Sequence, residues 1–160
     1  MTIDDFNNIV DLYADSLYRF ILKNIKNKEK AEDIVQESFE QLWKNAHKLD
    51  VSKAKSYLFT TAYHKLIDTV KKDKRIIIGD IENEKTVTPN ESPDLQNILH
   101  KAIDKLPTIQ KAVLLLRDYE GYSYKEIEQI TGLSESQVKV YIFRARHFLK
   151  EYLGKIDILI

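Results

Sequence analysis

Glycine and proline are scarce in this chain, and this scarcity limits what it can fold into. The 160 residues include 4 Gly and 3 Pro, so most stretches contain nothing that would stop a helix. Within these stretches apolar residues recur three and four positions apart, the spacing of an amphipathic α-helix. The sequence therefore predicts an all-α fold. The predicted helices cover about 3–25, 28–47, 52–74, 95–106, 107–119, 123–131 and 135–153.

One Gly and two Pro fall together in the segment GDIENEKTVTPNESPDL, residues 79–95. The segment is also acidic, because residues 76–96 contain one Lys or Arg against five Asp and Glu. This composition is typical of a linker. We therefore expect two small helical domains, residues 1–75 and 95–160, joined by a flexible acidic linker at 76–94.

Composition excludes several classes of site. The chain has no Cys, so disulfides, thiolate metal sites and a Cys nucleophile are excluded. The four His are scattered and none has a partner at metal-ligand spacing, so we expect neither a metal nor a cofactor. The acidic N-terminus has no basic region followed by an apolar one, and no run approaches about 18 apolar residues. We expect a cytoplasmic protein without membrane insertion.

The net charge of zero hides an uneven distribution of charge along the chain. Residues 1–43 carry five Lys and Arg against nine Asp and Glu, whereas residues 44–75 carry nine against three. A neutral protein can thus present a local basic surface to a phosphate backbone.

Residues 122–153 have the sequence pattern of a helix-turn-helix. Ser123 with Glu126, and Ser134 with Gln137, each have the spacing of a capping box. Gly132 lies between the two helices, where a left-handed residue is required.

In the second of these helices, Val140 and Phe143 fall on the polar face, among Lys139, Arg144 and His147. Isolated apolar residues on a surface are normal and need no special explanation. Alternatively, this face reads the major groove, where apolar side chains contact thymine methyls and Arg or Lys contacts guanine. The capping pattern and the flanking cations favour the second interpretation.

Two surfaces in the N-terminal half also have two interpretations each. Acidic and amide residues at 33–40 line one helix face. This face either is simply solvated or binds a partner. Catalysis is unsupported, because no second acidic motif or nucleophile accompanies these residues. The next helix interleaves aromatic residues and His64 with Lys and Arg. That mixture suits single-stranded nucleic acid. Alternatively, one of Tyr57 and Phe59 belongs to the core and the other caps it, since the two cannot both face one core.

Three motifs, in their order, resemble the bacterial RNA polymerase sigma factors of the extracytoplasmic-function (ECF) group. AEDIVQESFEQLWKN is similar to the signature of region 2 in that family. KAKSYLFTTAYHKLIDTVKKDKR is similar to its promoter-melting segment, and residues 106–150 are similar to region 4. The resemblance covers nearly the whole chain and implies a region 2 helical bundle followed by a region 4 helix-turn-helix.

The resemblance implies three sets of site residues and no enzymatic activity. Residues expected to bind core RNA polymerase, through its β′ and β subunits, are Asp33, Gln36, Glu37, Phe39 and Trp43. Residues expected to meet DNA at the minus-ten element are Tyr57, Tyr63, His64, Lys71, Lys72, Lys74 and Arg75. Residues expected to read the minus-thirty-five element are Ser136, Gln137, Lys139, Val140, Phe143 and Arg144.

The resemblance also implies control by an anti-sigma factor, which can hold the two domains in a closed form. Several positions depart from the family pattern. The usual Trp is Tyr57, the usual Arg-Asn pair is Tyr63-His64, and Val140 replaces a polar residue in the recognition helix. We therefore expect a promoter preference of its own. Two alternatives are a stand-alone helix-turn-helix regulator and an adaptor that binds polymerase but not DNA.

Overall fold

The computed structural model describes residues 1–77 and 95–158, with side chains at 1–74 and 95–155. Residues 78–94 of the predicted linker at 76–94 therefore lie outside the described residues, and so does the side chain of Arg75. Within the described part every regular element is helical, in agreement with the predicted all-α fold. The α-helices are α1 (Ile3–Ile25), α2 (Lys28–Lys44), α3 (Ala54–Ile77), α4 (Leu95–Asp104), α5 (Thr108–Leu114), α6 (Tyr124–Thr131) and α7 (Glu135–Ile158).

The ends of the first two helices follow from local sequence. Thr2 and Asp5 form a reciprocal capping box at the start of α1, and Lys26 ends that helix in the left-handed conformation with φ of 55°. The side chain of Asn27 then accepts a hydrogen bond from the backbone N–H of Lys30 and starts α2. The bounds predicted for α1 are confirmed, whereas α2 ends at Lys44, earlier than predicted.

Two further elements differ in detail from the prediction. A single 3-10 turn, Val51–Lys53, precedes α3. The helix predicted over 107–119 is α-helical only as far as Leu114 and continues as a π-helical turn, Leu115–Tyr119. The backbone N–H of Glu120 accordingly donates to the carbonyl oxygen of Leu115, five residues earlier.

Helices α1, α2 and α3 pack against one another, and α5, α6 and α7 form a second group to which α4 adds through α7. The first group buries residues such as Leu17, Ile34 and Leu66. The second buries residues such as Leu116 and Ile130. Burial of these apolar side chains is the main source of stability in both groups.

The two groups also pack against each other, chiefly through α3 with α6 and α5. Phe59 of α3 is fully buried between Phe20 of α1, at 5.8 Å between ring centroids, and Tyr122 before α6, at 5.2 Å. The buried apolar residues consequently form one continuous cluster through both groups. We call this arrangement the closed form.

Candidate nucleic-acid and protein interfaces

The helix-turn-helix predicted at the C-terminal end is present as α6, a turn and α7. Ser123 and Glu126 cap α6 reciprocally. Gly132 ends α6 with φ of 75°, in the left-handed region that favours glycine. The backbone N–H of Gln137 donates to Oγ of Ser134, while Oε1 of Gln137 accepts from the N–H of Ser134. Both capping boxes inferred from the sequence are therefore confirmed.

Helix α7 has one face buried against the neighbouring helices and an opposite face exposed to solvent. Val138, Ile142 and Ala145 are buried against the neighbouring helices. On the opposite side Val140 is 43% exposed and Phe143 is 70% exposed. Two large apolar side chains thus face solvent on the helix that a helix-turn-helix would present to DNA.

Polar and charged groups surround these two apolar residues. Ser136, Gln137 and Arg144 are exposed, as is Lys139, whose ammonium lies 3.2 Å from a carboxylate oxygen of Glu135. The ring of Phe143 stacks on His147 at 6.2 Å between centroids, with an interplanar angle of 9°. Cations, amides and apolar atoms within one helix face are the groups that contact phosphates, base edges and thymine methyls.

An apolar groove of about 640 Å³ runs between α1 and α2. From α2 it is lined by Gln36, Phe39, Glu40 and Trp43, and three of these are residues that the sequence analysis assigned to polymerase binding. Trp43 is 48% exposed, although large aromatic side chains are usually well covered in a monomer. Exposed apolar side chains that line a groove together are a common feature of surfaces that bind another molecule.

The other side of the groove comes from α1, through Ile3, Phe6 and Val10. Phe6 lies edge-on to Trp43, at 5.0 Å between ring centroids, and to Phe39, at 6.3 Å. The sequence analysis missed this contribution. The 3–6–10 spacing of these apolar residues could have indicated it, because this spacing places them on one side of a helix.

Asp33 and Glu37 lie on a different side of α2. A carboxylate oxygen of Glu37 is 3.0 Å from the ammonium of Lys65 in α3, and Asp33 lines the same polar cleft between α2 and α3. Asp33 and Glu37 therefore flank the apolar groove rather than line it, and Gln36 lies on the groove side, where its amide donates to Glu40.

The residues of α3 that are expected at the minus-ten element differ in their exposure. Lys71, Lys72, Lys74 and His64 are exposed. Tyr57 is half-buried, and its hydroxyl accepts a hydrogen bond from the Asn45 side chain at 2.9 Å.

Tyr63 differs from the expectation of an accessible ring. It is only 4% exposed, and burial, with a smaller contribution from Tyr141, raises the pKa of its phenol. The reason is tertiary, because the C-terminal helices cover this side of α3 and also bury Phe59. In the closed form the ring of Tyr63 therefore does not share an exposed face with the cations of α3.

The described residues contain no group of three or more His, Asp or Glu placed to hold a metal ion. Among the described helices, none is both long and apolar enough to cross a membrane.

Comparison with known proteins identifies the family. Residues 9–76 match the family model "Sigma-70 region 2", and residues 96–149 match "Sigma-70, region 4". The ECF RNA polymerase sigma factor SigM of Bacillus subtilis (strain 168) is 33% identical over 156 residues, covering 94% of each chain. The chain belongs to the ECF sigma factors of the sigma-70 family. Sigma factors are transcription initiation factors, so this membership agrees with the expectation of a DNA-binding transcription factor.

Other comparisons agree with this membership. The ECF sigma factor SigW of Bacillus subtilis is 30% identical over 167 residues, covering 94% of this chain and 89% of SigW. The sigma factor RpoE from Bartonella quintana, solved in complex with the anti-sigma factor NepR, has a TM-score of 0.76 at 25% identity, covering 95% of this chain and 98% of that one. CnrH, solved with the cytosolic domain of CnrY, has the same fold with a TM-score of 0.69 at 21% identity, over 94% of this chain and 88% of CnrH.

Proposed function

We propose that this ECF sigma factor binds core RNA polymerase through the groove between α1 and α2 and directs initiation from promoters that α7 reads at the minus-thirty-five element. One observation carries the proposal: a large apolar groove and an apolar, cation-flanked recognition face are both exposed on the same chain. In a stand-alone DNA-binding regulator the groove would instead belong to a dimerisation or sensor module, and such a protein would bind promoter DNA without polymerase. The proposed place of action is the cytoplasm, together with the polymerase.

The groove supplies the binding energy for polymerase in this proposal. Phe6, Phe39 and Trp43 form its apolar floor, and buried aromatic side chains contribute most of the energy at protein interfaces. Asp33 and Glu37 flank the groove and favour a partner with Lys or Arg beside its apolar contacts. The partner is expected to be the β′ subunit at this groove, with further contacts to β.

DNA recognition is divided between α7 and α3 in this proposal. At the minus-thirty-five element, Phe143 and Val140 contact thymine methyls, while Lys139 and Arg144 contact guanine edges or phosphates. Ser136 and the N-terminal end of α7 approach the phosphate backbone. At the minus-ten element, Lys71, Lys72, Lys74 and Arg75 meet phosphates, and Tyr57, Tyr63 and His64 meet unstacked bases.

The proposal also includes control by an anti-sigma factor. RpoE and CnrH were each solved with a protein partner, which for RpoE is an anti-sigma factor. The shared fold supports the same kind of partner here. An anti-sigma factor that covers the groove or stabilises the closed form would prevent initiation.

A titration of labelled protein with core polymerase tests the first step. The double variant Asp33→Ala, Gln36→Ala should bind core polymerase more weakly while its circular dichroism stays that of the wild type. A melted double variant would instead mean that these residues are structural.

Helix α1 offers a matched pair for the groove itself. Ile3 lines the groove at 66% exposure, and Leu12 lies outside it on the same helix at 69% exposure. Ile3→Gln should raise the dissociation constant for core polymerase about tenfold, because apolar burial is lost, whereas Leu12→Gln should leave it unchanged. Equal effects of the two substitutions would exclude the groove as the binding site.

A further inference from the structure

Three exposed side chains of α7 contact one another in sequence, each one helical turn from the next. The ring of Phe143 lies parallel to that of His147, at 6.2 Å between centroids and 9° between the ring planes. Nε2 of His147 lies 3.1 Å from a carboxylate oxygen of Glu151. We call Phe143, His147 and Glu151 the side-chain ladder. Only its first member is part of the proposed minus-thirty-five surface.

The direction of side chains on a helix explains the order of the ladder. Each Cα–Cβ bond tilts toward the N-terminus, so a side chain leans over the residue four positions before it. His147 therefore leans over Phe143, and Glu151 leans over His147. An ionised carboxylate can only accept hydrogen bonds, so Glu151 selects Nε2 of His147 as the donor and orients the imidazole. The imidazole in turn presents a flat surface to the ring of Phe143.

The ring of Phe143 needs a neighbour to hold it in one orientation, whereas the side chain of Val140 does not. Val140 is β-branched, and a β-branched side chain in a helix keeps one strongly preferred χ1 rotamer. Phe143 is 70% exposed, and its side chain has more than one accessible χ1 rotamer on a helix surface. Within the described part of the chain, His147 is the aromatic residue that this ring contacts. His147 thus limits the motion of Phe143.

The ladder contributes little to the stability of the fold. The side chains of His147 and Glu151 are 60% and 62% exposed. Exposed pairs four positions apart on a helix stabilise it only slightly. Removal of the imidazole should therefore leave the fold intact, so any effect on DNA binding can be attributed to the surface of α7.

We propose that His147 is a positioning residue for promoter specificity, which holds the ring of Phe143 against the methyl group of one thymine in the minus-thirty-five element; this rests on the proposed function. Apolar side chains distinguish thymine from the other bases by contact with its methyl group in the major groove. A ring that is already oriented loses less freedom on binding, so more of the contact energy appears as affinity. His147 accordingly determines how strongly Phe143 discriminates in favour of thymine.

Deoxyuridine isolates this contact, because it pairs as thymine does but lacks the methyl group. The test uses the full chain with core polymerase and a duplex promoter fragment that yields a transcript in a run-off assay. Each thymine of the minus-thirty-five element is replaced singly by deoxyuridine. We define the methyl ratio as the dissociation constant for the deoxyuridine fragment divided by that for the thymine fragment.

The wild type should have a methyl ratio of about four at one thymine, the fold-change that corresponds to one buried methyl group. Phe143→Ala should lower this ratio to about one, since the apolar contact is removed. His147→Ala should lower it to below about two, because the ring of Phe143 is no longer held. His147→Phe should restore the ratio of the wild type, since a planar ring again lies over Phe143.

Two controls separate positioning from other effects. Lys150→Ala, an exposed substitution on the same helix outside the ladder, should leave the methyl ratio unchanged. A thymine that is read by Val140 should keep its ratio in His147→Ala, because the orientation of that side chain does not depend on the ladder. A structural defect would instead weaken binding to thymine and deoxyuridine fragments equally.

The proposal is contradicted by any of three results. A methyl ratio of one at every thymine in the wild type would mean that Phe143 reads no methyl group. An unchanged ratio in His147→Ala would mean that His147 is a phosphate contact or a solvated residue. Failure of His147→Phe to restore the ratio would mean that the polar atoms of the imidazole, and not its plane, are responsible.

Failure of the proposed function gives a different result. If no version of the chain formed a promoter complex with core polymerase, the proposed function would fail, and the role of His147 on DNA with it. A complex that forms normally, with the same methyl ratio in the wild type and in His147→Ala, would contradict the role of His147 alone.

Discussion

At the scale of single residues, Phe143 and Val140 are the side chains whose placement bears most on specificity. Helical geometry alone predicted that they face away from the buried stripe of α7, and both are exposed in the structure. The prediction succeeded because position around a regular helix depends only on sequence spacing. Their roles on DNA stay a prediction, since exposure does not identify what a side chain contacts.

Arg144→Ala should relax base preference at one position of the minus-thirty-five element, with a loss of roughly 1–3 kcal/mol for the preferred base. The reason is that a bidentate guanidinium contact discriminates between bases, whereas a phosphate contact does not. Competition between the preferred promoter and single-base variants measures this. Lys150→Ala, at an exposed position near the other end of α7, serves as the control. A uniform loss on every sequence would make Arg144 a phosphate contact.

Tyr122 provides a prediction for stability at alkaline pH. Burial, followed by the negative charges of Glu120 and Glu126, raises the pKa of its phenol well above the ordinary value. The neutral form is therefore favoured in the folded state, and its contribution is complete below the unfolded pKa of about 10 and lost at higher pH.

Above pH 10 the wild type should accordingly lose up to about 1 kcal/mol per pH unit more than Tyr122→Phe does. Urea unfolding of both proteins between pH 8 and 11 measures the difference. Parallel pH profiles for the two proteins would show that the Tyr122 phenol ionises equally easily in the folded and unfolded states.

At the scale of the elements, capping residues defined the helices more sharply than apolar spacing did. The boundaries around α6 and α7 were predicted from Ser123, Gly132 and Ser134, and the structure places a cap or a left-handed residue at each. The end of α2 at Lys44 was missed because the sequence WKNAH contains neither Gly nor Pro. The π-helical turn at Leu115–Tyr119 was missed because a run of three leucines, at 114–116, is compatible with an α-helix as well as with a π-helical turn.

Ser123→Ala should lower the free energy of unfolding by roughly 1 kcal/mol, since it leaves the backbone N–H of Glu126 without its side-chain acceptor. Chemical denaturation monitored by circular dichroism gives the value. Ser136→Ala, an exposed substitution in the first turn of α7 with no capping role, should change it by less than about 0.5 kcal/mol. A similar loss in both variants would contradict the capping role of Ser123.

At the scale of the whole molecule, the packing of the two helix groups could not be predicted from the sequence. Arg19 and Glu120 are 101 positions apart, and periodicity indicates which residues are buried but not which partner covers them. For this reason Tyr63 was predicted as an accessible base-contacting ring, although its apolar neighbours on α3 are covered by the C-terminal helices.

Run-off transcription with purified core polymerase on a pool of genomic promoters tests the central claim most directly. The account predicts discrete, promoter-specific transcripts that require this protein and that decrease with Ile3→Gln but not with Leu12→Gln. If core polymerase neither binds the protein nor yields any transcript that depends on it, the assignment as a promoter-specific initiation factor is contradicted.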